Sequence, residues 1–305
     1  MGSRLASACL YGCLISFCPL IASADADALV DGLGPREIAV GEAMRGGAVG
    51  GSAAALNPAG LPLTRELVFE GGYGYRVADS ASLISASACD STNAAPGCFF
   101  YNYLGASPEI DGMVAERKIH TAGMTLSRAV TPRLMLGTAI KYFNISSEMA
   151  GEADASGFNW DIGLTLRLND LANVGVVGYN LYGEEAAQFP RAVGGGLALR
   201  PIPALRASFD VLFHLDTEGD AKTGRFGGGL EYFLQLGSRD VGYPLRAGGL
   251  RDRATDRTYV SGGLGVATPK VALDVAARRA LSGDEELLVI ASLRFYGPRD
   301  AAPGL

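Results

Sequence analysis

The sequence has little charge, and its charge balance is acidic. Charged side chains make up 19% of its 305 residues, and the formal net charge is −6. Without a basic face the chain cannot neutralise a phosphate backbone, which excludes nucleic acid as a partner. The hydrophobic content of 48% excludes a disordered chain, because disorder needs few apolar residues and high net charge.

Residues that carry catalysis or bind metals are also scarce. His120 and His214 are the two histidines, and no spacing of His, Cys, Asp or Glu predicts a metal site. A membrane lipid hydrolase would need His120 to meet Ser127, or His214 to meet Asp210, but both histidines fit positions near the rim of a barrel. The Gly runs do not open a predicted helix, so they match no phosphate-binding pattern. The sequence therefore predicts no enzyme and no cofactor.

The first residues are typical of a secretory signal. Arg4 supplies a positive n-region, 10–21 is apolar, and 22–24 is a small-residue cleavage site. The apolar run is shorter than the roughly 20 residues that a spanning helix needs. We expect 1–24 to be a signal peptide, cleaved after Ala24. Beyond it no run predicts a membrane helix, so any crossing must use the strands of a closed barrel.

Two cysteines, Cys89 and Cys98, remain after the predicted signal. An exported protein with two cysteines close in sequence is a candidate for a disulfide bond. The alternative is a pair of free thiols. A bridge would fix the register of the predicted strands 81–89 and 98–104, which alternate weakly.

From residue 66 onwards, apolar side chains recur at every second position. In the clearest segment Trp160, Ile162 and Leu164 share one face, whereas Asp161 and Thr165 share the other. Most segments are about ten residues long, as tilted strands that cross a bilayer are. They are predicted at 66–76, 81–89, 98–104, 117–129, 133–145, 156–168, 172–182, 189–200, 203–214, 223–236, 241–251, 257–267, 270–279 and 286–296.

The connections between these segments alternate between tight and long. Tight connections fall at 131–132, 169–170, 201–202 and 268–269, and longer polar ones lie between them. Outer-membrane barrels have short periplasmic turns and longer external loops. The sequence therefore predicts an all-β, closed antiparallel transmembrane barrel of about 14 strands over 65–297. A soluble sandwich or barrel also alternates, but its polar face would carry Lys and Glu rather than the Gly and Ala found here.

Charged side chains of both signs fall on the predicted inward faces. They can pair with one another to brace a sealed barrel, or they can line a pore, and the sequence leaves both open. The predicted lumen-lining residues are Lys141, Asp161, Arg167, Arg206, Asp210, Glu231, Arg246, Asp274, Arg278 and Arg294.

A run of small residues precedes the first strand. Gly and Ala supply little apolar surface, and Gly is costly to order, so this run must lie against another part of the chain. We predict that 25–64 is a hatch inside the barrel, with a short helix over 38–44, and that 298–305 is a tail. Pro fixes φ and would set a turn where the hatch ends. The predicted hatch motif is Gly46, Gly47, Asn57, Pro58, Ala59 and Gly60.

The run from Ala43 to Leu61, followed by a strand, resembles the hatch and first strand of the FadL-like superfamily of outer-membrane long-chain fatty acid transporters, with its shorter PorV and PorQ relatives. The stretches 243–248, 259–265 and 272–276 resemble signatures of late strands in such barrels. The resemblance implies a fourteen-stranded barrel with an N-terminal segment inside. The chain departs from the family in its tail and in its lack of long external loops, and this leaves a fatty acid substrate unsupported.

Together these features predict passive passage of small hydrophobic molecules across the outer membrane. The expected partners are outer-membrane lipid and a small hydrophobic ligand. The alternative is a PorV-like barrel that does not transport but binds a protein partner in secretion or assembly. A third candidate, a lipid-modifying enzyme, would need His and Ser to meet on one face.

Overall fold

The structure is a computed structural model. It describes residues 28–110, 112–215, 224–236, 240–282 and 286–297. The predicted signal peptide, 1–24, and the predicted tail, 298–305, lie outside the described residues.

Fourteen strands close into one antiparallel barrel, in which the first strand pairs with the last. A separate two-stranded hairpin, β4 (Glu109–Ile110) with β5 (Met113–Val114), lies in the connection 107–116. The barrel strands are β1 (Leu67–Arg76), β2 (Ala81–Asp90), β3 (Gly97–Ala106), β6 (Arg117–Ala129), β7 (Leu134–Ser147), β8 (Ala155–Asn169), β9 (Ala172–Gly183), β10 (Ala192–Ile202), β11 (Leu205–His214), β12 (Gly224–Gln235), β13 (Gly242–Asp252), β14 (Arg257–Ala267), β15 (Val271–Ala280) and β16 (Leu287–Tyr296).

The predicted closed barrel of about 14 strands is confirmed. The largest difference in a boundary is at β10, which was predicted from residue 189 and begins at Ala192. The weakly alternating strands β2 and β3 are full members of the barrel and pair in one continuous register. The hairpin of β4 and β5 was not predicted, because strands of two residues leave no period to recognise.

The barrel wall has an apolar outer face and a mixed inner face. On β8, Trp160, Ile162 and Leu164 are exposed, whereas the alternate residues Asp161 and Thr165 are buried. Alternation of this kind continues around the barrel, so exposed Leu, Val, Ile and aromatic side chains cover the outside. An apolar outer band with a polar interior is the pattern of barrels that sit in lipid.

Three short α-helices and one 3₁₀ helix precede the barrel. They are α1 (Ala28–Asp31), α2 (Pro35–Ala39), α3 (Gly51–Leu56) and the 3₁₀ helix Pro58–Leu63. None of the helices in the described ranges is long and apolar enough to span a membrane. The predicted helix over 38–44 was wrong in position. The helix begins at Pro35, where a fixed φ favours a first turn, and it ends before Gly41, whose φ of 68° is left-handed.

Residues 28–64, called the N-terminal segment below, lie inside the barrel. α2 contacts β13 to β16, α3 contacts β2 and β3, and the 3₁₀ helix contacts β6 to β9. Ile38, Ala39, Leu56 and Leu61 are each no more than 1% exposed. Because these contacts reach the wall on several sides, the segment crosses the interior rather than covering one face.

Candidate functional site in the barrel interior

The middle of the N-terminal segment is attached to the wall by a buried arginine. The backbone N–H of Arg45 donates to Asp210 Oδ2 at 2.8 Å, and Arg45 Nη1 donates to the same oxygen at 3.1 Å. Arg45 Nε donates to the Tyr179 hydroxyl at 2.9 Å. Asp210 lies on β11 and Tyr179 on β9. One residue of the segment therefore holds two strands of the wall through charge-assisted hydrogen bonds.

Asn57 makes a second attachment at the end of α3. Its Nδ2 donates to the Arg45 carbonyl at 2.9 Å and to Thr165 Oγ1 at 3.1 Å. Its Oδ1 accepts from the Ala59 N–H at 3.1 Å and so caps the 3₁₀ helix. At Gly163 on β8 a Cβ atom would overlap the Asn57 side chain. The strand therefore needs glycine there for the segment to approach its backbone this closely.

A charged network joins the segment to β12 and β15 near the end of the barrel that carries the longer connections. Glu42 Oε2 lies 3.1 Å from Arg225 Nη2, and Glu42 Oε1 lies 2.5 Å from Arg278 Nη1. Arg278 Nη2 is also 2.7 Å from Glu286 Oε1. All four side chains are buried, so each charge depends on its partners.

A second network lies on the same side of the barrel, nearer the short turns. Glu231 Oε2 is 3.2 Å from Arg36 Nε and 2.6 Å from Arg246 Nε. Arg246 Nη1 reaches Asp274 Oδ1 at 2.5 Å, and Asp274 also pairs with Arg294. The chain of alternating charges ties α2 to four strands, β12, β13, β15 and β16.

The opposite side of the interior, formed by β2, β3, β6 and β7, carries a patch of buried apolar side chains near the end with the longer connections. Leu83, Leu104, Ile119, Phe143 and Ile145 point inwards and are each at most 4% exposed. They belong to one buried cluster with side chains of the N-terminal segment. The Phe143 ring also stacks on Phe189, from the connection before β10, with ring centroids 4.4 Å apart. In this patch the N-terminal segment meets the wall through packing rather than through ion pairs.

The ten residues predicted to line the lumen all lie on the inward face of their strands. The structure brings Lys141 and Asp161 together at 2.8 Å and the others into the two networks, the Arg45 site or the cavity described next. Sequence reasoning missed Arg36, Glu42 and Arg45, which lie in the N-terminal segment and have no periodic pattern. It also missed Arg225, although the alternation of β12 places this residue inwards.

A cavity of about 300 Å³ lies between the N-terminal segment and the short-turn end of β8 to β12. Its segment side is mainly apolar and includes Val40, Met44, Val49 and Leu63. Its wall side carries arginines and two carboxylates. The cavity shows that the segment does not fill this end of the barrel completely.

The two cysteines face each other directly across β2 and β3. The structure joins them in a disulfide bond with an S–S distance of 2.04 Å. The turn between them covers only 91–96, because both strands extend further than the sequence predicts.

At the long-connection end, Arg117 and Glu152 form an ion pair. Arg117 Nε donates to Glu152 Oε2 at 2.8 Å, and the Ser147 hydroxyl donates to the same oxygen at 2.7 Å. Partial burial alone would raise the pKa of Glu152, but these hydrogen bonds outweigh it and hold the pKa below its ordinary value. The pair fixes the loop that follows β7 to the start of β6.

The structure does not assemble a Ser–His pair at His120. The Nδ1 atom of His120 and the Tyr101 hydroxyl form a hydrogen bond of 2.8 Å. The centroid of the His120 ring lies 4.9 Å from that of Tyr103. Ser127 instead faces inwards and donates to the Pro58 carbonyl. Among the described residues no group of three or more His, Cys, Asp or Glu side chains could hold a metal ion.

No protein-family model matches the chain, and no curated protein sequence matches it. Several solved structures, however, are similar to this chain. The CymD monoaromatic hydrocarbon channel has a TM-score of 0.68 and 13% identity, covering 90% of this chain and 100% of its own. The Pseudomonas putida toluene transporter TodX has a TM-score of 0.66 and 14% identity, covering 87% and 98%.

A Pseudomonas aeruginosa FadL homologue is also similar, with a TM-score of 0.63 and 11% identity, covering 80% of this chain and 93% of its own. The fold is that of a FadL-like barrel. At these identities the similarity shows the fold alone. The FadL-like barrel inferred from the small-residue run and the late-strand signatures is therefore confirmed as an architecture.

Proposed function

We propose that the protein is an outer-membrane channel for the passive passage of small hydrophobic molecules, with the N-terminal segment as its hatch. The observation that carries this proposal is the apolar patch of the interior, where inward Leu, Ile and Phe side chains of β2, β3, β6 and β7 meet the segment. A water-filled pore has a polar lumen, whereas this surface suits a hydrophobic ligand. The similarity to hydrocarbon channels supports the same proposal.

Residues 38–56 are the part of the segment that would have to shift for a ligand to pass. Glu42 and Arg45 attach this part to the charged side of the interior and can keep their ion pairs, whereas its contacts with the apolar side are packing contacts. Such contacts can break and reform without unfolding the wall, because the barrel strands make their own ladder. Passive passage requires no nucleophile, base or cofactor.

The test measures entry of the fluorescent hydrophobic probe N-phenylnaphthylamine into intact Gram-negative cells that make the protein. We expect faster entry than in cells that make an equal amount of a different closed barrel. A variant that lacks 38–56 should also raise the conductance of planar bilayers to small ions. Equal probe entry in the two kinds of cell would refute the channel. Unchanged conductance after the deletion would refute the hatch.

A second candidate function is a barrel that binds a protein partner in secretion or assembly. The observation that favours it is the hairpin of β4 and β5, where Met113 and Val114 are 72% and 64% exposed in a connection outside the barrel. Exposed apolar side chains at a loop tip are suited to contact with another protein. Replacing both with Ser should then abolish capture of a partner without changing probe entry.

A further inference from the structure

The cavity at the short-turn end has a charge opposite to that of the whole chain. Four arginines and two carboxylates line it, Arg36, Arg167, Arg200, Arg206, Asp170 and Glu231, which gives a formal charge of 4 − 2 = +2. The chain as a whole carries −6. A local excess of positive charge in a concave site raises the concentration of anions there.

Two of these arginines have no carboxylate partner. Within the ranges that the structure describes, the Arg167 guanidinium makes no ion pair or hydrogen bond, and Arg200 donates only to the Pro203 carbonyl at 3.2 Å. Arg206 has a single long contact, 3.4 Å from Nη1 to Glu231 Oε1. Glu231 is already held more closely by Arg36 and Arg246. The guanidinium groups on the wall therefore keep donors available for a ligand.

The side of the cavity formed by the N-terminal segment has a different chemistry. Beside Arg36, the segment supplies an apolar surface opposite the arginines of the wall, formed by Val40, Met44, Val49 and Leu63. A ligand that uses both surfaces needs an anionic group at one end and an apolar body at the other. The volume of about 300 Å³ is at the small end of the range for small-molecule sites. It suits a small organic acid better than a lipid with two acyl chains.

From this arrangement we infer that the cavity binds a small carboxylate with an apolar body, with Arg167 and Arg206 holding the carboxylate. Arg–carboxylate pairs combine charge with paired hydrogen bonds. The apolar body lies against Val40 and Met44. Binding here goes beyond the proposed function, because it does not require the ligand to cross the barrel.

The test compares two probes that differ in charge, 4-phenylbutyrate and the neutral 4-phenylbutanol. The full barrel is placed in phosphatidylcholine nanodiscs, and binding is measured by titration calorimetry at neutral pH. We expect the carboxylate to bind at least about tenfold more tightly than the alcohol, the size of one hydrogen bond to a charged group. The double variant Arg167→Gln/Arg206→Gln should remove this preference.

Both substitutions should leave the fold intact, because Arg167 has no partner among the described residues to leave unpaired and Glu231 keeps Arg36 and Arg246. Arg128→Gln is the matched control, since Arg128 is exposed and faces outwards on β6, at the same short-turn end of the barrel as the cavity. It should retain the preference for the carboxylate. Equal affinities for the two probes, or a double variant that still prefers the carboxylate, would overturn the inference. Probe entry into cells is a separate measurement, so the channel can fail while this site stands.

Discussion

The two sides of the barrel interior hold the same N-terminal segment by different means. On the side of β2 to β7 the contacts are between buried apolar side chains such as Leu104 and Phe143. On the side of β11 to β15 they are ion pairs that reach from Arg36, Glu42 and Arg45 to the wall. Apolar contacts depend on buried area and filled volume, whereas buried ion pairs depend on both partners being present.

The difference suggests a division of roles. An apolar surface tolerates sliding, because no single contact has to be in one position. A network of buried charges tolerates one arrangement, since a displaced charge would be left unpaired at high cost. We therefore expect the charged side to fix the position of the segment and the apolar side to be the one along which a hydrophobic ligand moves.

The largest effect is expected at the charged side, from Arg278→Ala. The change removes a partner of Glu42 and of Glu286, and losing one member of a buried network costs about 3–5 kcal/mol. The free energy of unfolding can be measured by urea titration in vesicles. The emission of Trp160, the single Trp, serves as the signal because this side chain faces outwards.

Arg279→Ala is the control for this substitution. Arg279 is the next residue on β15 but is exposed on the outer face. Its replacement should change the free energy of unfolding by less than about 1 kcal/mol, because ionic contacts of exposed side chains contribute no more than that. Similar losses at the two positions would show that the charged side is not the firm anchor described above.

A smaller loss is expected at the apolar side, from Leu104→Ala. The side chain is 3% exposed, and its truncation leaves a cavity, so we expect about 2–3 kcal/mol by the same titration. Leu136→Ala is the control, because Leu136 is 44% exposed on the outer face and lipid can fill the space. The loss at Leu136 should be smaller by about 1 kcal/mol or more. A loss at Leu104 as large as that at Arg278 would remove the contrast between the two sides.

The smallest effect is expected at the rim, where the pair of Arg117 and Glu152 is only partly buried. Because the folded pKa of Glu152 lies below its ordinary value of 4.5, its contribution to the stability of the folded loop is complete above that pH and is lost as the pH falls through the folded pKa. The contribution should be below about 1 kcal/mol.

The measurement is the hydrogen-exchange protection factor of 148–154, corrected for intrinsic rates, at about pH 6 and about pH 3. Protection should fall at the lower pH in the unaltered protein. In Glu152→Gln, which cannot titrate, this fall should be smaller. A fall of the same size in both proteins would assign the pH dependence to other groups.

The barrel could be predicted from sequence because its signal is local and repeated. Each strand shows its own alternation, as Trp160 and Asp161 do on β8, and the alternating turn lengths fix which ends lie together. Even the disulfide positions are close in the chain. The exposure of Trp160 and the burial of Asp161 follow from the period alone.

The partners inside the barrel could not be predicted in this way. Glu42 and Arg278 are 236 residues apart, and nothing near either position indicates the other. Which arginine meets which carboxylate depends on where the N-terminal segment turns, and Gly41 and Asn57 set those turns through contacts made only in the folded barrel. The cavity could not be predicted for the same reason, since its two surfaces come from distant parts of the chain.

The pairing of the first strand with the last also constrains the order in which the barrel can be assembled. Val68 faces Tyr296, and the Gly297 N–H donates to the Leu67 carbonyl, so the wall is completed only by residues at the far end of the chain. Until those residues have emerged, β1 keeps an open edge that any other strand could join. Assembly of this protein must therefore keep the open edge of β1 from pairing with other strands until β16 is in place.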